Sequence, residues 1–446
     1  MADAAAAHAA KRESLRESLR QGAGPVALGK ETSNLFRDRE ARERRRLDVR
    51  GFTQVLRISD GWVEAEGMIP YDDLTRECLA RAVMPAVVPQ LKTITLGGAV
   101  AGVGIEASSH RQGLVHDTML ELDVLLGDGR VVSCTPDNAH ADLFFGFPNS
   151  YGTLGYALRV KARTVPVKPY VHLSHLPFKN GRDYFSQLEE HLRAGKADFV
   201  DGTIFSPERL FITLGRFVDS APFTSDYTYK NIYYRSIAEK REDYLTAHDY
   251  IWRWDTDWFW CSKNVFAQNA FIRRFVYGKN RLGSRTYTKI MRWNSRVGAT
   301  KKLERILGLH SESVIQDVDI PISRAAEFLD FYSQEIGLWP QWICPIGPQS
   351  HSGRFVLYPV KNTWYVNFGF WDLKRTREAH APGHFNRMIE DKVSELGGIK
   401  SLYSDSFFSE ADFHARYGGA AYDALKAKYD PVGAFPRLYD KCVLRA

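Results

Sequence analysis

Residues 95–110 read TLGGAVAGVGIEASSH, with four glycines, and the segments on either side limit what this stretch can be. Upstream, residues 52–69 place two apolar-rich runs around Asp60-Gly61; downstream, residues 119–137 do the same around Gly127-Asp128-Gly129. Each pattern predicts an antiparallel hairpin. A glycine loop between hairpins is not part of a parallel βαβ unit. Gly102-Val103-Gly104-Ile105-Glu106-Ala107 fits G-x-G-x-x-A formally, but that fingerprint needs a strand before it and a helix after it. Here the poor helix former Ser-Ser-His-Arg-Gln-Gly follows, and Asp123, at the distance of a ribose-binding acid, falls inside an apolar strand. No Gly-Lys-Ser/Thr marks a P-loop. Two readings stay open. The glycines Gly97, Gly98, Gly102 and Gly104 only turn the chain, or their amides form a nest for an anion, with Thr95, Ser108 and Ser109 adding hydroxyl donors.

The remaining chain reads as α+β, with hairpins rather than repeated βαβ units. Residues 1–23 suggest a polar helix. A first unit spans 24–168, with Pro166 and Pro169 marking its boundary; it contains the tight turn Gly152-Thr153-Leu154-Gly155. A second unit, 169–398, is dense in aromatics. Strands are predicted at 313–322, 341–346, 353–360 and 363–371, and helices at 323–336 and 383–396. Residues 399–446 form a C-terminal segment.

Five cysteines, widely spaced and without CxxC, indicate reduced thiols in a cytoplasmic protein and no metal cluster. No apolar run reaches the ~18 residues of a spanning helix, and no secretory signal opens the chain. The expectation is a soluble or peripheral protein.

The order of features is informative. Lys30, Thr32, Ser33 and Asn34 come first, then hairpin and helix, the glycine loop, and Gly152, Thr153 and Gly155. This order resembles the PCMH-type FAD-binding domain of the vanillyl-alcohol-oxidase superfamily. VVPQLKTITLGGAVAGVGIEASSHRQGL is similar to the flavin loop of the Δ24-sterol reductase family, as are GDGRVVSCTP, DLFFGFPNSYGTLGY, VIQDVDIPI, WPQWICPIGP and AFPRLYDKC. GKETSNLFR looks like the related actinobacterial flavoproteins that reduce the methylene branch of 10-methylene fatty acyl lipids. The resemblance implies a two-subdomain FAD domain, an α+β substrate (cap) domain, and a C-terminal segment packing back near the flavin. It further implies FAD held by the residues just named, together with Ile105, Glu106 and His110. Some superfamily members attach FAD to a histidine at the position of Ile105, so non-covalent FAD is expected. His110 is either a flavin contact or a hydrogen-bonded residue at the loop's end.

The implied reaction is reduction of an isolated C=C bond with NADPH as electron source. An acid protonates the less substituted carbon, positive charge develops on the more substituted one, and the flavin, reduced beforehand by NADPH, delivers hydride there. Catalytic candidates are Glu106, Gln316 and Asp317. Glu106 either donates the proton or braces the loop; Gln316 and Asp317 match a pair in the sterol reductases or form one polar strand face. Tyr403 and Tyr439 are weaker candidates. The expected substrate is a 10-methylene acyl lipid. A sterol side chain, or alcohol oxidation by the same cofactor, are the alternatives.

Residues 273–305 carry eleven Lys/Arg and one acid, a larger positive charge than the +7 of the whole chain. Arg281, Arg285, Lys289, Arg292 and Arg296 share one face if the segment is a single helix. That face, with the aromatic run YIWRWDTDWFW as an interface anchor, suits the anionic inner surface of a membrane. A solvated helix face is the other reading. No motif accompanies it for nucleic acid. A lipid methyltransferase is a further expected partner.

Overall fold

Two glycine turns organise the first unit of the computed structural model, which describes residues 2–22, 24–30, 36–37, 43–298, 304 and 306–445, with backbone only for 2, 3, 295 and 296. Thr32, Ser33 and Asn34 therefore lie outside the described residues. After a parallel pair, β1 (Val26–Leu28) and β2 (Arg45–Leu47), come β3 (Val55–Ser59) and β4 (Trp62–Glu66). Asp60-Gly61 turns that hairpin, with Gly61 at φ 74°, a backbone region glycine adopts without a Cβ penalty. β5 (Val83–Pro85), β6 (Met119–Leu125), β7 (Val131–Cys134) and β8 (Tyr156–Pro166) complete an antiparallel sheet of order β3-β4-β8-β6-β7, with β5 also pairing β8. The sheet is not a βαβ array.

A second sheet begins at Tyr170. Its strands are β9 (Tyr170–Phe178), β10 (Phe199–Ser206), β11 (Arg209–Val218), β12 (Glu242–Thr246), β13 (His310–Pro321), β14 (Gln341–Ile346), β15 (Tyr365–Thr376) and β16 (Ile399–Lys400). They are ordered β12-β9-β11-β10-β14-β15-β13-β16, antiparallel throughout. Side chains alternate across each strand. Ile343, Val318 and Phe368 bury against helices Gly181–Ala194, Ala325–Phe331 and His384–Glu395. Trp342, Cys344 and Trp371 face the other way, in a core continuous with the first unit. A cavity lies at that seam.

Two expectations change, and the N-terminal helix gains a place in the fold. Residues 353–360 are turns, not a strand, although Phe355, Leu357 and Tyr358 are buried. Their backbone groups are used elsewhere: Val356 N–H donates to Phe145 O (3.2 Å), and Leu357 O accepts from Asn149 Nδ2 (2.7 Å). The N-terminal helix Ala2–Arg20 is docked. Leu15 and Leu19 bury beside Val26 and Leu47, and His8 and Lys11 bond the buried Glu66 at 2.8 and 2.7 Å. The aromatic run 250–260 is core, not a surface anchor, with Trp254 and Trp260 each 1% exposed. Among the described residues no helix is long and apolar enough to cross a membrane, and no group of His, Cys, Asp or Glu forms a metal site.

The C-terminal helices Gly419–Tyr429 and Leu438–Cys442 return to the first unit. Lys426 Nζ donates to Thr153 O at 2.8 Å, and Tyr429 Oη to Asp142 Oδ1 at 2.6 Å.

Candidate active site

The glycine stretch divides into two halves. The first folds as a short helix, Leu96–Ala101, capped by Thr95, whose Oγ1 accepts from Gly98 N–H at 3.2 Å. Its leading amides are consumed internally: Leu96 N–H donates to Ile69 O (3.0 Å) and Gly97 N–H to Gly67 O (2.7 Å). Gly97 must lack a side chain because a Cβ there would stand 2.8 Å from Gly67 O and 3.1 Å from Ala157 Cβ. What approaches this backbone is thus first the protein's own sheet. The second half is different. The amides of Val103, Gly104 and Ile105 line the cavity with no hydrogen-bond partner among the described residues. Amides left open for an anion nest, expected over the whole loop, are found at these three positions.

The cavity holds about 750 Å³ and runs from this loop to the second sheet. One end carries cations: Lys30, Arg44 and Arg46 line it beside Thr95 and Gly98. Gly102, Gly152 and Gly155 form a floor without bulk. The far end is aromatic. Trp258, Phe259, Trp342 and Trp371 surround it, with the Phe259 and Trp371 rings 4.4 Å apart, and Asp317 and Tyr403 line the same cavity. Open amides and cations at one end, an apolar box at the other, and a floor of glycines fit an extended dinucleotide carrying a pyrophosphate and a flat ring. FAD fits these residues. Ile105 lines the cavity and offers no nucleophile for a covalent bond.

The catalytic candidates separate. Asp317 reaches the cavity from β13. Burial pushes its carboxyl up to about 8, only partly opposed by a hydrogen bond from Tyr403. Its Oδ1 is buried with no partner among the described residues, and Trp371 Nε1 donates to Tyr403 Oη at 2.8 Å. Gln316 is one residue away and so on the opposite face of the sheet; its Nε2 donates to Asn386 Oδ1 at 2.5 Å, under helix His384–Glu395. It does not reach the cavity. Glu106 lies behind the loop in a charged cluster that is buried throughout. Arg253 Nη2 bonds Glu106 Oε1 at 2.7 Å and Asp201 Oδ2 at 2.8 Å, Gln90 Nε2 donates to Glu106 Oε2, and Trp342 Nε1 to Asp201 Oδ2 at 3.2 Å. The two carboxylates hold Arg253 protonated against the cost of its burial. Glu106 is therefore placed as a brace rather than as a proton donor.

Other loop residues also brace. Ser108 Oγ donates to Ala86 O (2.8 Å), and Ser109 Oγ accepts from Glu106 N–H (3.1 Å). The His110 ring lies between Ala107 O and Ala197 O, 2.9 and 3.2 Å away, and burial lowers its pKa. Thr153 Oγ1 donates to Ser150 O at 2.8 Å, and Tyr439 Oη to Phe408 O at 3.5 Å. None of these five lines the cavity. The sequence reading missed the aromatic box and Arg253. A signal existed for the latter: a lone arginine within IWRWD, in a run apolar enough to be buried, requires a buried acid.

Comparison with known proteins agrees with this geometry. Residues 5–135 match the family model described as FAD binding domain. The chain is 27% identical to human Δ24-sterol reductase over 369 residues, covering 80% of this chain and 69% of that one. It is 26% identical to the pea Δ24-sterol reductase over 446 residues, covering 89% and 76%. A rice protein, cytokinin dehydrogenase 7, is 29% identical over 411 residues, covering 86% and 74%. The chain carries an FAD-binding domain within an α+β fold, and its cofactor is FAD.

Proposed function

We propose that this flavoprotein oxidoreductase reduces an isolated C=C bond in a lipid, most specifically the methylene branch of a 10-methylene fatty acyl lipid, with NADPH as electron donor. The observation that carries the reading is Asp317, a carboxyl held protonated near neutral pH at the aromatic end of the cavity. An isolated alkene has no carbonyl to withdraw electrons, so it must be protonated while it is reduced. FAD, when bound, supplies the two electrons.

The chain's own residues do the rest. Asp317 gives its proton to the less substituted alkene carbon, becomes a carboxylate, and regains a proton from solvent before the next turnover. Tyr403, fixed by Trp371, orients that carboxyl. Trp258, Phe259, Trp342 and Trp371 exclude water, and their ring faces favour the positive charge that develops on the tertiary carbon. Arg253 acts one layer back, fixing the loop through Glu106 and the second sheet through Asp201.

A second reading, a sterol side-chain alkene as substrate, is favoured by the relatives named Δ24-sterol reductase. Lipid mass spectrometry decides between the two. A host that accumulates 10-methylene acyl chains is expected to convert them to 10-methyl chains when it produces this protein. Unchanged acyl chains, with conversion of a Δ24 sterol by the purified protein, would transfer the assignment to the sterol.

A further inference from the structure

Between β12 and β13 the chain makes a long excursion whose first part is core and whose second part faces outward. Phe266, Phe271 and Phe275 are 71%, 67% and 66% exposed, and Val276 is also exposed. The Phe271 and Phe275 rings pack on each other, 4.8 Å apart, forming an apolar ledge. The basic stretch is not one helix: Gly283, at φ 117°, separates Arg281, on a preceding turn, from helix Ser284–Val297. The orientation of that helix is fixed. Tyr287 is buried, with its ring 6.2 Å from that of Tyr277 and its Oη donating to Thr256 O at 3.0 Å. On the opposite side Arg285, Lys289, Trp293 and Val297 follow at four-residue intervals, all exposed.

Acids meet this stretch in the ion pairs and hydrogen bonds of the described residues. Arg285 bonds Asp72 at 3.1 Å, and Glu304, the single acid of residues 273–305, is taken by Ser311 and Arg375 at 2.6 and 3.0 Å. Lys279 and Lys289, in the same stretch of chain as these rings, are exposed as well. Large exposed aromatics are unusual on a monomer and mark an interaction surface. A protein-protein interface collects its apolar residues in a centre with a polar rim. Here cations and rings interleave along the chain, which suits a surface offering anionic headgroups and apolar depth together.

We propose that this face, built on Phe271, Phe275, Lys279, Lys289 and Trp293, docks the protein peripherally on an anionic lipid bilayer. The proposal is independent of which alkene is reduced. It is tested by sedimenting the FAD-loaded protein with vesicles of phosphatidylcholine alone or mixed with phosphatidylglycerol. Binding is expected to the mixed vesicles, weakening with salt. Lys279→Glu with Lys289→Glu should lower partitioning at least about thirtyfold. Phe271→Ser with Phe275→Ser should lower it on mixed vesicles, and an unchanged flavin spectrum confirms that each variant is folded. Equal binding to neutral vesicles, or binding indifferent to both double variants, overturns the proposal. So does absence of vesicle binding with self-association that the phenylalanine variant abolishes, since the ledge would then cover a second copy of the chain.

Discussion

In the proposed reaction Asp317 is the one side chain that supplies the proton. Its neighbour Gln316 has the same strand and similar polarity but the opposite face, and so belongs to packing. Burial that raises a carboxyl to about 8 makes it an acid at neutral pH, so alkene turnover should be sustained below that value and fall as pH rises through it. Asp317→Asn should keep FAD, reduce turnover by roughly two orders of magnitude or more, and remove that alkaline limb. The same shift has a consequence for folding. A carboxyl whose pKa rises from 3.8 to about 8 on folding binds more protons in the native state between those values, so its contribution to stability declines as pH rises across that window. Denaturant titrations of Asp317→Asn should lack this decline. An alkaline limb that persists in the variant would assign the proton to another group.

At the scale of elements, the glycine loop is both packing and cradle, and its halves should respond differently to substitution. Gly97→Ala forces a Cβ against Gly67 O at 2.8 Å and should cost roughly 1–3 kcal/mol of stability together with much of the bound flavin. Thermal melts and the ratio of flavin to protein absorbance measure both. Full occupancy and an unchanged melt would mean that the loop does not depend on close contact with the sheet. The hairpins were legible in the sequence because Asp60-Gly61 and Gly127-Asp128-Gly129 specify turns locally. The short helix Leu96–Ala101 was not: two of its six residues are glycine, and its stability comes from the Thr95 cap and from packing on β8. Residues 353–360 misled for a related reason. Their apolar residues are buried, but the carbonyl and amide partners that would make a strand are replaced by Phe145 and Asn149. In the site, the glycines and Asp317 could be found by motif and resemblance. The bonds from Arg253 to Glu106 and Asp201 span 147 and 52 positions, and no local pattern encodes them.

The whole molecule is built around a seam. One face of the second sheet carries its own helices; the other shares a core with the first unit, and the cavity opens between them. Arg253 is a buried charged tie across that seam. Arg253→Met should destabilise the protein by about 3–5 kcal/mol at neutral pH, because it leaves Glu106 and Asp201 buried without a cation. Equal stability of variant and parent in neutral-pH denaturant titrations would remove the tie from the account. In the proposed reaction the seam brings one flavin, one acid and one lipid alkene together. Anaerobic stopped-flow spectroscopy tests it most directly: NADPH bleaches the flavin, and a 10-methylene acyl lipid is then added. The account predicts that the flavin colour returns with stoichiometric formation of the 10-methyl product, and that Asp317→Asn bleaches normally but does not recover. A flavin that stays bleached in the presence of both the methylene lipid and a Δ24 sterol would contradict it.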